Sequence, residues 1–296
     1  YDNLECDVNI IKYRTVKTKG KELYQLVFDQ SPFYAESGGQ VGDSGYIQSQ
    51  SDEKINIINT IKENNLNIHL ADRIPAKPED TFRAVVDGEK RQNTANNHTA
   101  THLLHFALRQ VLGTHIEQKG SYVSPGYLRF DFSHYEKVSK EHLKEVERIV
   151  NRLIRADIHK VEYRDIDIDQ AKGMGAMALF GEKYGNKVRA IQFGDSMELC
   201  GGTHAASTGN LGMIRITSES AVAAGIRRIE AVTGAQVEIV LDQVEEQLSA
   251  AKEFFDNTPN LLNSIAKMVR ENEGFKKAME EMDKERIVAL KRSVTE

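Results

Sequence analysis

The sequence predicts an α+β fold: a small β-barrel over residues 1–90, an α+β domain over 91–235 and a helical region over 236–296. Three observations carry this. Residues 1–88 hold several short β-branched or alternating runs and no long helix. Residues 91–235 mix amphipathic helices with strand-like meanders, in an order that is not a repeated strand–helix–strand unit. Beyond residue 236 the apolar positions keep helical spacing.

In the first region the runs fall at 6–13, 23–29, 55–61, 66–70 and 82–86, several of them separated by turns containing glycine or proline. Between them lies Ser37-Gly38-Gly39-Gln40-Val41-Gly42-Asp43-Ser44-Gly45. So many glycines in one short stretch suit a loop whose backbone approaches something closely, and a plain surface turn reads equally well. The phosphate-loop pattern GxxxxGK[ST] is absent.

Residues 87–93 are charged and polar and mark a boundary. Thr94 or Asn93 can cap a helix over 95–112, in which Leu103, Leu104, Ala107, Leu108, Val111 and Leu112 form the apolar stripe. At about 100° per residue His98, His102 and His105 share a different side of that helix. Residues 121–133 alternate as strands around Pro125-Gly126. Ser139 opens a second helix with Leu143, Val146, Ile149, Val150, Leu153 and Ile154 on one face. Strands are expected at 159–165, 187–193, 214–217 and 228–232, and a helix broken by Gly173 and Gly175 at 171–183.

The last region reads as a helix over 236–255 and a second one restarted by Thr258-Pro259, a good cap followed by a good first residue. Leu261, Ile265, Met268, Phe275, Met279 and Met282 follow a 4-3 repeat, weakened by Asn272 and Arg286. A helical hairpin or short coiled coil fits this pattern. Self-association into a homodimer through the same helices is the rival reading.

Two sequence-distant pairs carry the chemistry. His98 and His102 stand four apart on a helix, and Cys200 and His204 stand four apart around Gly201-Gly202, where the backbone can turn tightly. Three imidazoles and one thiolate suit one tetrahedral zinc ion. The bland alternative keeps His98 on a helix surface and Cys200 as a small buried hydrophobe. A zinc-protease helix is excluded, because the position that needs glutamate is Thr99. No nucleophile elbow with a serine–histidine–aspartate set is visible.

The net charge of −5 argues against wholesale binding of nucleic acid, so any RNA contact must use a local basic patch. Only Cys6 and Cys200 are present, which disfavours a disulfide framework and fits a reducing, cytoplasmic setting. No apolar run approaches the ~20 residues a bilayer needs, so no membrane partner is expected. The start at Tyr1 suggests a piece of something longer.

Residues 31–43, 97–102, 118–121, 178–185, 200–204 and 224–230 together resemble the editing part of alanyl-tRNA synthetases and their relatives, the stand-alone alanyl-tRNA editing proteins. The run from Ala178 to Gly185 favours the synthetases. The resemblance implies a C-terminal fragment that hydrolyses tRNA(Ala) mischarged with serine or glycine. ATP and Mg2+ would serve only an aminoacylation domain outside this chain. It also implies that Gln118 lies in the hydrolytic pocket and that the Gly38-Gly39 loop closes beside it. Thr101 could place a hydroxyl near the substrate side chain; otherwise it bonds back along its helix. Cys200 could act covalently, but a metal-bound thiolate is a poor free nucleophile, so direct attack by water is preferred. Arg227 and Arg228 could hold RNA phosphate, or pair with Glu230. As neighbours in a strand, only one of them can face the site. An RNA-binding module with a structural zinc, or a free-standing editing protein, are the alternatives.

Overall fold

The computed structural model describes residues 2–18, 21–178 and 185–295. They fall into two compact units, Tyr1–Val237 and Glu238–Glu296.

The first unit begins with a closed barrel of six strands: β1 (Glu5–Thr18), β2 (Lys21–Phe28), β3 (Gly45–Ser49), β4 (Lys54–Glu63), β5 (Leu66–Ala71) and β6 (Thr81–Val86). Their order around the barrel is β1-β2-β5-β4-β3-β6. Closure leaves no free edge, and Val8, Leu26, Phe33, Ile47, Ile55 and Phe82 fill the interior. Strand β3 was absent from the sequence reading: it is five residues long and opens on Gly45, whose missing side chain lets the Val85 carbonyl approach.

Helix α1 (Gly88–Leu112) starts earlier than the sequence suggested. The cap is Asp87, which accepts from the Lys90 amide, and not Thr94 or Asn93. The polar stretch reads as a linker because Glu89 and Lys90 face solvent, while Arg91 turns inward to Asp43. From Thr94 to Leu108 α1 is buried almost all round, with a four-stranded antiparallel sheet among its neighbours, so its polar residues there sit in an interior.

That sheet has the order β12-β13-β8-β7, from β7 (Gln118–Val123), β8 (Leu128–Ser133), β12 (Ile214–Ala223) and β13 (Ile226–Thr233). Helix α2 (Lys140–Arg155), capped by Ser139, packs against α1 and β12 with the expected apolar face. Leu103, Leu104, Phe130, Phe132, Val146 and Ile229 are among the side chains of this second core. A three-stranded sheet, β11-β10-β9, is built from β9 (Val161–Asp167), β10 (Lys187–Phe193) and β11 (Ser196–Leu199). Helix α3 is only Ile168–Gly173, because Gly175 takes a φ of 93° and turns the chain. The remainder of the helix expected over 171–183 lies partly outside the described residues, as do Leu179 to Tyr184 of the run that favours the synthetases.

Helices α4 (Ala235–Glu253) and α5 (Leu261–Thr295) account for the last region. Asn260, not Thr258, caps α5, accepting from the Asn263 amide. Leu248, Met268, Phe275, Met279 and Met282 are all exposed. The described residues therefore contain the two helices and the apolar stripe, but no packed hairpin covers it. No described helix is long and apolar enough to cross a membrane.

Candidate metal centre

The turn from β11 into the loop after it brings Cys200 and His204 against α1. His98, His102, Cys200 and His204 each offer a ligand atom, and these atoms all lie within 4.8 Å of one another. Cys200 Sγ is 3.4 Å from His98 Nε2 and 3.3 Å from His204 Nε2. Zinc bonded tetrahedrally at its usual ~2.0–2.3 Å would set its ligand atoms roughly 3.3–3.8 Å apart. The donor set and the two distances to Cys200 Sγ therefore fit one ion.

Protonation favours this too. Burial pushes the pKa values of His98 and His204 well below the ordinary histidine value, and that of His102 below it, so these rings stay neutral with one bare nitrogen each. Each ring is also held by a partner that the sequence reading missed. His98 Nδ1 meets Gln40 Oε1 at 2.7 Å, and His204 Nδ1 meets Thr99 Oγ1 at 3.2 Å. His102 Nε2 lies 3.3 Å from Glu198 Oε2, while His105 Nδ1 lies 2.9 Å from Glu198 Oε1. Burial alone would raise the Glu198 pKa, yet His102 and His105 hold it below the usual carboxylate value. Glu198 stands two residues before Cys200 in a strand, and alternation could have flagged it. Gln40 carried no such signal, because its contact partners lie far away in the chain.

The ligand loop is clamped from behind. Arg189 Nη1 donates to the carbonyls of Cys200 and Gly202, each at 2.8 Å, and its Nε donates to Glu162 at 2.7 Å. The glycine loop of the barrel is laid along β7, where Val123 N donates to Gly39 O and Val41 N to Val123 O. A side chain on Gly39 would collide with Ser121, whose oxygen would be 2.3 Å from the added carbon. This close approach is what the glycine run permits.

A cavity of about 170 Å³ opens beside the cluster. His98, His102, Cys200, Gln118, Thr101 and Ser121 line it, with Tyr34 and Gly38 from the barrel's loop. Thr101 does bond back along its helix, its hydroxyl donating to Asn97 O at 2.8 Å, and the residue also lines the cavity. Gly39 packs on Ser121 just outside. Arg227 and Arg228 do not line this cavity. Arg227 pairs with Glu219, and Arg228 grips Asp131 at 2.6 and 2.8 Å. They are ion-paired, though neither partner is the Glu230 expected from the sequence.

Comparison with known proteins follows the same division. Residues 188–230 match the family described as threonyl and alanyl tRNA synthetase second additional domain. Residues 1–90 match the family of class II (A) tRNA synthetases. An alanine–tRNA ligase of Bacteroides fragilis is 55% identical over 291 residues, covering 98% of this chain and 33% of the ligase. The ligase of Porphyromonas gingivalis is 52% identical over 296 residues, and that of Cytophaga hutchinsonii 51% over 296, each covered to 34%. The likeness is to alanine–tRNA ligase. The chain spans about a third of the length of these ligases. The stretch matched to the second additional domain contains β10, β11 and the Cys200–His204 loop, but not α1 with its two histidines. One half of the ligand set thus falls inside the matched family and the other outside it.

Proposed function

We propose that this chain is the part of an alanine–tRNA ligase that hydrolyses the ester of tRNA(Ala) mischarged with serine or glycine, and that the cluster holds one zinc ion. The single observation that carries this is the juxtaposition of Gln118 and Thr101 with three of the four donors, His98, His102 and Cys200, around one small cavity.

A pocket selecting alanine cannot sterically exclude glycine and rejects serine weakly, so a second, hydrolytic site is the physical remedy. The chain's own groups suit that task. Thr101 spends its proton on Asn97 O and so presents only acceptor capacity to the cavity. A seryl hydroxyl can donate to it; an alanyl methyl would leave it unpaired, which costs about 1–3 kcal/mol for a buried acceptor, so this contact selects serine, and glycine enters by its smaller size alone. Gln118 opens β7 and turns its amide to the same cavity, with Nε2 3.4 Å from Ser121 Oγ. An uncharged amide can both donate to the ester carbonyl and accept from a water, orienting the two without competing for the ion. Bound zinc would supply Lewis acidity and lower the pKa of a nearby water. Cys200, held in the ligand set, is not a free nucleophile, and the reaction is direct attack by water on the ester, releasing the amino acid and the tRNA 3′ end. Amino-acid attachment by the full ligase belongs to sequence outside this chain.

A second reading follows from the ligand count. Four protein donors close a zinc site, as structural sites do, and the chain would then be an RNA-binding part with no turnover. Deacylation of seryl-tRNA(Ala) by the chain, with Gln118→Ala and Cys200→Ala beside it, decides. Hydrolysis lost in Gln118→Ala with zinc retained supports the editing reading. No hydrolysis by the unsubstituted zinc-loaded chain supports the structural one.

A further inference from the structure

Gln40 belongs to the barrel's loop, 58 residues from His98, yet it is completely buried at the metal centre. Its amide makes three contacts. Oε1 accepts from the backbone amide of Thr203 at 2.9 Å, Nε2 donates to Thr203 Oγ1 at 2.9 Å, and Oε1 faces His98 Nδ1 at 2.7 Å. The backbone N–H of Thr203 can only donate, so the atom facing it must be the oxygen. The ring nitrogen facing the same oxygen must then carry a proton, because a bare nitrogen would set two lone pairs against each other. His98 is thereby fixed with its proton on Nδ1 and its lone pair on Nε2, the atom 3.4 Å from Cys200 Sγ.

We infer that Gln40 is a positioning residue for the metal centre: the barrel loop sets the tautomer of His98 and aims Nε2 at the ion. Outer partners that fix a ligating histidine in this way are worth roughly 10–100-fold in metal affinity. The fold invests in the contact. Gly202 has no side chain where one would stand 2.7 Å from Gln40 Oε1 and 2.1 Å from His98 Cε1. The loop that carries Gln40 is itself pinned to β7 by the paired amides of Gln40's neighbours, Gly39 O and Val41 N, on Val123. The barrel is thus part of the centre rather than a neighbouring module. This rests on the reading that the cluster binds zinc.

The test is zinc affinity of the full chain by chelator competition, for wild type, Gln40→Leu and Gln40→Glu. Leucine removes the acceptor, whereas glutamate keeps an oxygen for both the ring and the Thr203 amide. The expected result is a loss of roughly 10–100-fold for Gln40→Leu, with Gln40→Glu near wild type. Equal losses in the two variants, or none in Gln40→Leu, overturn the inference. Ring-nitrogen NMR of the metal-free wild-type chain needs no variant: His98 protonated on Nδ1 supports it, and His98 protonated on Nε2 overturns it. Neither measurement uses tRNA. A chain that shows the Gln40 effect but hydrolyses no seryl-tRNA overturns the proposed function alone. One that hydrolyses seryl-tRNA while Gln40→Leu keeps full zinc affinity overturns this inference alone.

Discussion

Arg189 and Cys200 are joined through the backbone of the metal loop: the guanidinium donates to the Cys200 carbonyl at 2.8 Å and, with the same nitrogen, to Gly202 at 2.8 Å. Its other side is held by Glu162, whose carboxyl is itself kept down at about 2, against the pull of burial, by Arg189, Arg164 and Lys160. The loop therefore hangs on a planar cation backed by a carboxylate. Arg189→Met should cost about 1.5–3 kcal/mol, the range for hydrogen bonds to a charged group. It should also weaken zinc binding, because Cys200 and His204 lose their common support. Arg189→Lys should recover little, since an ammonium lacks the fork. Urea unfolding and zinc competition read the two effects; an Arg189→Met chain with wild-type zinc affinity would contradict the role.

The two glycines inside the metal loop should behave oppositely. A carbon added at Gly202 would lie 2.1 Å from His98 Cε1 and 2.4 Å from its Nδ1, whereas one added at Gly201 meets nothing within 4 Å. Gly202→Ala is expected to displace the His98 ring, lower stability by about 1–3 kcal/mol as an overpacked site does, and lose zinc. Gly201→Ala should leave both nearly unchanged. Thermal unfolding and metal content of the two purified variants check this, and similar behaviour in both would remove the steric argument.

How far the sequence reached can be judged at these same residues. The four donors were legible because i, i+4 spacing on a helix and around a glycine pair is a local signal. Thr101 was reached from its place between the two histidines on the helix, whereas Gln118 was put in the pocket through resemblance, since an uncharged polar residue has no spacing rule. Gln40, Thr99, Glu198 and Arg189 were not reached at all. Gln40 acts across 163 residues on Thr203, and periodicity says nothing at that range; Glu198, two residues before Cys200, was the one that strand alternation could have flagged. Most barrel strands were visible as β-branched runs, but β3 was hidden by its glycine start. The start of α1 was misplaced because Arg91, a residue that normally signals surface, is buried by its partner Asp43.

That pair invites its own test. Arg91 and Asp43 are both almost fully buried, Arg91 also donates to Pro32 O at 2.9 Å, and Asp43 also accepts from the Tyr34 amide at 2.5 Å. They tie the first turn of α1 to the barrel's loop. Removing one partner leaves a buried charge uncompensated, which typically costs 3–5 kcal/mol. Arg91→Met should fall by about that much. Asp43→Asn added to it should restore part of the loss, because the amide keeps an oxygen for Tyr34 without the charge. Urea midpoints of the single and double variants give the comparison. A double variant less stable than Arg91→Met would show that the charge is not the cause.

The barrel carries a separate dependence on pH, at His69. The ring is buried, stacked on Phe28 at 4.0 Å, and its Nδ1 must donate to the Leu26 carbonyl at 3.1 Å. Nε2 is then the bare nitrogen, and it accepts from Ser31 Oγ at 2.7 Å. The neutral ring is fully satisfied and a second proton has no place, so burial lowers the pKa to about 4, from an ordinary 6.5. The sign follows. Below pH 6.5 the unfolded chain takes up this proton and the folded chain does not, so stability falls as pH drops and has lost its full share near pH 4. A displacement of this size corresponds to roughly 3 kcal/mol. Buried histidines of the metal centre act in the same direction in a metal-free chain, so the informative quantity is a difference between two chains. His69→Gln should be less stable than wild type at pH 7.5, having lost ring packing, but should lose less on going to pH 4.5. Parallel losses in urea midpoint over that interval would mean that His69 takes up its proton in the folded barrel as readily as in the unfolded chain.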